Sequence, residues 1–143
     1  MKKGTVISFI FFTTLLLMNF GCSDNPNKNR KGDFTWTYTY IKSIDGRKND
    51  LKQIILQNWF EMDRVAQEQG LIRDYMLLEN ISDTDSTDWD FIVAVEYFTK
   101  GTYAAIAEAF EKIRKSHKTV KVNGMSFSEV GKVVRSEVVK MTK

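Results

Sequence analysis

An α+β domain with the element order strand, helix, strand, strand, helix, strand is what this sequence of 143 residues predicts, on three observations. Asp90 to Phe98 is β-branched or aromatic at nearly every position, so both its faces look covered and it belongs at the centre of a sheet. Phe34 to Ile41, Leu71 to Glu79 and Ser136 to Met141 offer it partners. The two longer gaps between these strands carry apolar residues at helical spacing.

Each element has its own signal. In Phe34 to Ile41 strict alternation puts Trp36, Tyr38 and Tyr40 on one face and the threonines on the other, an aromatic face that has to be covered. Asp45-Gly46 marks a turn, and Asn49 or Asp50 is placed to cap the helix that follows. Leu51, Ile54, Ile55, Trp59, Met62, Val65 and Ala66 form its apolar stripe, with Lys52, Gln53, Gln57, Glu61 and Arg64 outside it, and Gly70 ends it. Leu71 to Glu79 then returns as a strand, with Tyr75 and Leu77 on one face and Met76 and Leu78 on the other. A second helix runs from about Thr102 to Lys115 along Tyr103, Ile106, Phe110 and Ile113. Asn123-Gly124 is a turn, Ser126 with Glu129 fits a capping box opening a short third helix, and the last strand closes the chain.

Composition bounds what such a domain can be. An apolar share of 43% with 27% charged residues is that of a globular protein and excludes general disorder. The chain carries 21 basic and 18 acidic side chains; without Lys2 and Lys3, which belong to a removable leader, the balance is +1. That is too small for a general nucleic-acid binder. A single cysteine excludes an internal disulfide framework and a multi-cysteine metal site.

The position of that cysteine is informative. Met1-Lys2-Lys3 is followed by the apolar run Val6 to Met18, which has the length of a signal-peptide core and falls short of the ~20 residues that span a bilayer. Basic start, apolar core and Gly21-Cys22 together resemble a bacterial lipoprotein signal, with Asn19 and Phe20 where that pattern has an aliphatic and a small residue. The resemblance implies cleavage after residue 21, lipid on Cys22, and a protein exported and held on a membrane of the cell envelope. At about 0.8 kcal/mol per buried methylene, several acyl chains hold durably. A non-lipidated signal peptide with a free thiol at Cys22 is the plainer alternative, and a retained membrane helix a third. From residue 22 to 33 the chain is a polar tether, so the organisation reads as signal peptide 1–21, lipidated cysteine and tether 22–33, and α+β domain 34–143.

The order of elements is that of a ferredoxin-like βαββαβ domain, a four-stranded antiparallel sheet with helices on one face. Three local features also resemble exported, uncharacterised bacterial relatives of the dimeric α+β barrel superfamily: the first strand around Trp36 and Tyr38, the helix carrying Trp59 and ending in Gly70-Leu71 before Tyr75, and the closing Val134-Arg135-Ser136-Glu137-Val138. In that superfamily two sheets pack face to face and small ligands enter between sheet and helices. The resemblance therefore implies a homodimer and a pocket for a small apolar or aromatic ligand, without a cofactor.

Four groups of residues are candidates for chemistry. Trp36, Tyr38 and Tyr40 suit a flat or greasy ligand, and suit a core or dimer interface better. His117, the one histidine, continues the stripe of the second helix from Ile113; it is a candidate ligand-binding or proton-transfer residue against the plainer reading of a helix end near solvent. Asp83, Asp85, Asp88 and Asp90 offer oxygen ligands for calcium, but Asp88 stands where an EF-hand needs glycine and Ala94 where it needs glutamate, so a solvated turn is the simpler reading and no metal is assigned. Arg114, Lys115, Lys118 and Lys121 form a basic patch best read as solvated. No nucleophile motif, phosphate loop or HExxH is present. The function expected is a non-catalytic small-molecule or protein-binding domain in the envelope, with a cofactor-independent oxygenase-like enzyme using Tyr38, Tyr40 and His117 as the alternative.

Overall fold

The computed structural model describes residues 34–82, 87–98 and 103–140. The expected leader, Cys22, the tether, Asp83 and Asp85 lie outside the described residues. The elements run β1 (Phe34–Ser43), α1 (Lys48–Ile54), a π-turn (Ile55–Trp59), α2 (Phe60–Glu68), β2 (Asp74–Glu79), β3 (Phe91–Phe98), α3 (Tyr103–Ser116), α4 (Phe127–Val130) and β4 (Gly131–Lys140). The strands make one antiparallel sheet in the order β2-β3-β1-β4.

The apolar run Phe91 to Tyr97 is buried throughout and lies between β1 and β2, as a strand with both faces covered must. Register assigns each residue to a side. Ile41, Phe91, Val93, Val95 and Tyr97 share one face with Tyr75 and Leu77, and this face packs on Leu51, Ile54, Ile55 and Ala66 of the long helix, Ile113 of α3 and Val130 of α4. The helices thus cover one side of the sheet, and the core lies between the two layers.

Turns and ends follow from local chemistry. Asp45-Gly46 and Asn123-Gly124 both take positive φ at both residues, the two-residue hairpin geometry that Asp-Gly and Asn-Gly favour. Gly70, at φ +70°, ends α2 in a Schellman motif: the Leu71 amide donates to the Ala66 carbonyl at 2.9 Å and the Gly70 amide to that of Gln67 at 3.0 Å. Ser126 and Glu129 close the expected capping box at the start of α4.

Several boundaries differ from the sequence expectation. The first helix starts at Lys48, with Arg47 at the cap position and no side-chain cap, because the Asp45-Gly46 turn leads straight into it. Strand β2 begins at Asp74 rather than Leu71, since the Schellman turn takes Leu71 and Ile72 plugs the core. Strand β4 begins at Gly131, five residues before Ser136, and pairs with β1 along its length, with one extra residue at Val134 where Tyr40 opposes Arg135 and Ile41 opposes Val133. A Cβ at position 131 would stand 2.5 Å from Leu51 Cδ1, so any larger residue there would force the buried leucine to shift.

Candidate functional site

The sheet face turned away from the helices carries the aromatic residues of β1. Across it run the rows Leu78, Ile92, Tyr40, Arg135, then Met76, Ala94, Tyr38, Glu137, then Asp74, Glu96, Trp36, Val139. Trp36 stacks on Tyr38 with centroids 6.1 Å apart, and Tyr40 meets Trp89 edge-on at 6.0 Å. Trp36 is only 8% exposed, yet its indole Nε1 finds no acceptor among the described residues. Met76, Leu78 and Val139 stay exposed at about two-fifths of their surface. The residues at the middle of this face, Ile92, Ala94, Glu96 and Trp36, are buried, while the apolar side chains left part-exposed stand on its edge strands β2 and β4.

Charges along its margin are paired. Arg73 lies over the Phe34 ring at 3.9 Å and meets Glu96 at 3.2 Å, while Arg135 covers the Tyr40 ring at 3.7 Å and bridges to Asp88 and Glu137. Asp90 accepts from the Ser43 amide at 2.7 Å, the Ser43 hydroxyl at 2.6 Å and Lys42 at 3.1 Å. Burial alone would raise its pKa; these three donors outweigh burial and hold it low. Asp88 and Asp90 thus have structural partners, and among the described residues no group of three metal-ligating side chains comes together.

His117 lies in the other layer. Asn58, 5% exposed and inside the π-turn, donates from Nδ2 to the Ile54 and Val120 carbonyls and accepts at Oδ1 from the Val120 amide at 2.7 Å. These bonds fix the amide orientation, so His117 Nε2, 3.1 Å from Oδ1, is the donor there and Nδ1 carries no proton in the neutral ring. The cleft beside them, about 160 Å³, is lined by Trp59, Met62, Arg114, Thr119 and Phe127 among others. Arg114 is engaged by Glu111 through two 2.7 Å bonds. Trp36, Tyr38 and Tyr40 thus stand together, and His117 stands apart from them across the sheet and its helices.

The residue that sequence reasoning did not single out is Asp63. It is 6% exposed, on the inward side of α2, and has no hydrogen bond or ion pair among the described residues. Loss of water pushes its carboxyl up to about 7. Burial also raises the hydroxyls of Tyr97, to about 12, and of Tyr75, and in each case the nearby Asp63 charge adds to the effect. Tyr103 of α3 acts on Tyr97 in turn. The charge of Asp63 is thus felt on the helical side of the sheet, by Tyr75 of β2 and Tyr97 of β3.

The π-turn explains both its placement and why it was missed. A π-turn holds about one residue more than an α-turn, so the helix beyond Trp59 is rotated by roughly 100° from the phase set at Leu51. In the unbroken phase Met62 and Val65 face inward; in the observed one Asp63 and Ala66 are buried and Met62 and Val65 are half-buried. The available signal was a carboxylate four residues after Trp59 and three before Ala66, beside the apolar stripe. The chain matches no protein-family model, no curated protein and no solved structure.

Proposed function

We propose that this chain is an exported, lipid-anchored envelope protein whose ferredoxin-like domain pairs with a second copy through the aromatic sheet face and serves as a non-catalytic binding unit for a small molecule or partner protein. The fold assignment is supported by the strand-helix-strand-strand-helix-strand order and by a sheet that reads 4-1-3-2 from its other edge. Anchoring rests on the leader and Cys22; among the described residues no helix is long and apolar enough to cross a membrane.

The observation that carries the pairing is the sheet face outside the core, along which Met76, Leu78 and Val139 keep about two-fifths of their surface exposed. Four strands of 10, 6, 8 and 10 residues, about eight on average, present roughly 19 Å by 26 Å, about 500 Å² per copy before side-chain relief, near the lower bound for a specific pair. Apolar side chains beside a margin of paired charges are also the usual anatomy of an interface.

The enzyme reading with Tyr38, Tyr40 and His117 as its polar groups is less well supported, because those groups do not converge. Native mass spectrometry of the full processed protein, released gently from detergent, tests the proposal. A dimer that Leu78→Asp converts to monomer is expected; a wild-type monomer at micromolar concentration overturns the pairing.

A further inference from the structure

A cleft of about 160 Å³ opens in the helical layer, and no residue of the aromatic sheet face lines it. A cavity of about 150 Å³ holds a benzene ring, so a single ring is the size of occupant it admits. Its walls suit a flat one. Trp59 and Phe127 stand with ring centroids 5.1 Å apart and planes 29° apart, beside Met62 and the buried Ile54. The wall is fixed by Asn58, whose Nδ2 donates to the Ile54 and Val120 carbonyls while Oδ1 accepts from the Val120 amide and from His117 Nε2. A site ordered before its ligand arrives loses little freedom on binding. Asn58 also belongs to the π-turn, a rare helical irregularity that often stands at functional sites.

The polar groups at the cleft select the charge of the occupant. Among the described residues that line it none is acidic, and Arg114 brings a full positive charge. Glu111 accepts from Nε and Nη2 of Arg114 at 2.7 Å each. A guanidinium has five N–H groups, so the end of its fork, Nη1 and the second hydrogen of Nη2, is left for another carboxylate. The Thr119 hydroxyl, also at the cleft, makes no hydrogen bond among the described residues. Lys118, between His117 and Thr119, is exposed and meets no acid among the described residues. The acids adjoining the lining residues in sequence are engaged or turned away: Glu111 is held by Arg114 and Lys115, Glu61 by Arg64 and Glu129 by Ser126, while Asp63 faces inward. An organic cation would meet no partner here, and a metal ion no set of ligands. A carboxylate meets donors on Arg114 and Thr119.

We propose that this cleft is a binding site for a single-ring aromatic monocarboxylate of the size of benzoate, its ring against Trp59 and Phe127 and its carboxylate met by Arg114 and Thr119. The ring brings apolar area to the walls. The carboxylate stays at the mouth, where the Arg114 side chain is 60% exposed, so it keeps part of its water and avoids the cost of a fully buried ion. The site gives the small-molecule binding proposed for this domain a place and a ligand class. It rests on that binding and not on the pairing of two copies, since one chain supplies every lining residue.

The test is amide and indole NMR of the isotope-labelled full chain in a non-ionic detergent, titrated with sodium benzoate, with benzamide and with sodium acetate. Benzoate should give saturable shifts with a midpoint on the order of 1 mM or tighter, as so small a ligand allows. The shifts should centre on the Trp59 indole and the Val120 amide and leave the Trp36 and Trp89 indoles in place. Benzamide keeps the shape without the charge and acetate the charge without the ring, and each should bind about 10-fold more weakly or worse. Arg114→Gln, at an exposed position that leaves the core intact, should weaken benzoate about 10-fold, and Thr119→Val severalfold. Equal midpoints for benzoate and benzamide, an unchanged midpoint in Arg114→Gln, or a response centred away from Trp59 overturns the proposal. No response to benzoate from a protein that native mass spectrometry shows to be dimeric overturns the site and leaves the pairing standing, whereas saturable binding by a monomer supports the site and overturns the pairing alone.

Discussion

Replacing Asp63 by asparagine should stabilise this protein, and by an amount that depends on pH. In the unfolded chain the carboxyl titrates near 3.8, and in the folded chain near 7 because burial has stripped its water. Between these values the folded state holds a proton that the unfolded state has released, so stability falls as pH rises. Each unit of that gap is about 1.4 kcal/mol, and the whole gap about 4 kcal/mol. The penalty is absent below about pH 3.8 and complete above about pH 7. Asparagine cannot ionise and carries only the pH-independent cost of burying an amide, about 1–3 kcal/mol. The stability difference between variant and wild type should therefore climb by about 4 kcal/mol from about pH 4 to about pH 8. Urea unfolding of both proteins across that range measures it, and the groups common to both cancel in the difference. A difference that stays flat with pH would show that Asp63 is not kept from water and would refute this reasoning.

Other perturbations probe the frame around these sites. Asn58→Ala removes four hydrogen bonds, three of which tie the π-turn to His117 and Val120 and one of which goes to the Ile54 carbonyl, and should cost about 2–4 kcal/mol; hydrogen exchange at the Val120 amide should accelerate, and unchanged protection there would refute the clamp. Gly131→Ala drives a methyl into buried Leu51 and should cost about 1–3 kcal/mol in chemical denaturation, whereas a neutral result would mean that the strand shifts freely. Ser126→Ala opens the capping box of α4 and should cost about 1 kcal/mol, with the Ser126 and Glu129 amides the first to lose exchange protection.

Much of this architecture is legible in the chain itself. The β-branched run from Phe91 to Tyr97, the alternation from Trp36 to Tyr40, and the Asp-Gly and Asn-Gly turns each act through neighbours a few residues away, so local spacing carries them. The capping box at Ser126 and the glycine stop at Gly70 are local in the same sense. Where strands begin was less legible, because it depends on contacts distant in sequence: β4 extends back to Gly131 because β1 runs on to Ser43 and Leu51 accepts the bare glycine beside it.

The candidate sites divide along the same line. Sequence alone placed Trp36, Tyr38 and Tyr40 on a common face, since a strand alternates its side chains with period two whatever surrounds it. Only the tertiary structure decided that this face looks away from the helices, that His117 belongs to the opposite layer, and that Asp63 rather than Met62 or Val65 turns inward. The last depends on one additional residue in a helical turn, a small backbone change that leaves no mark in a hydrophobic pattern yet rotates every side chain that follows it.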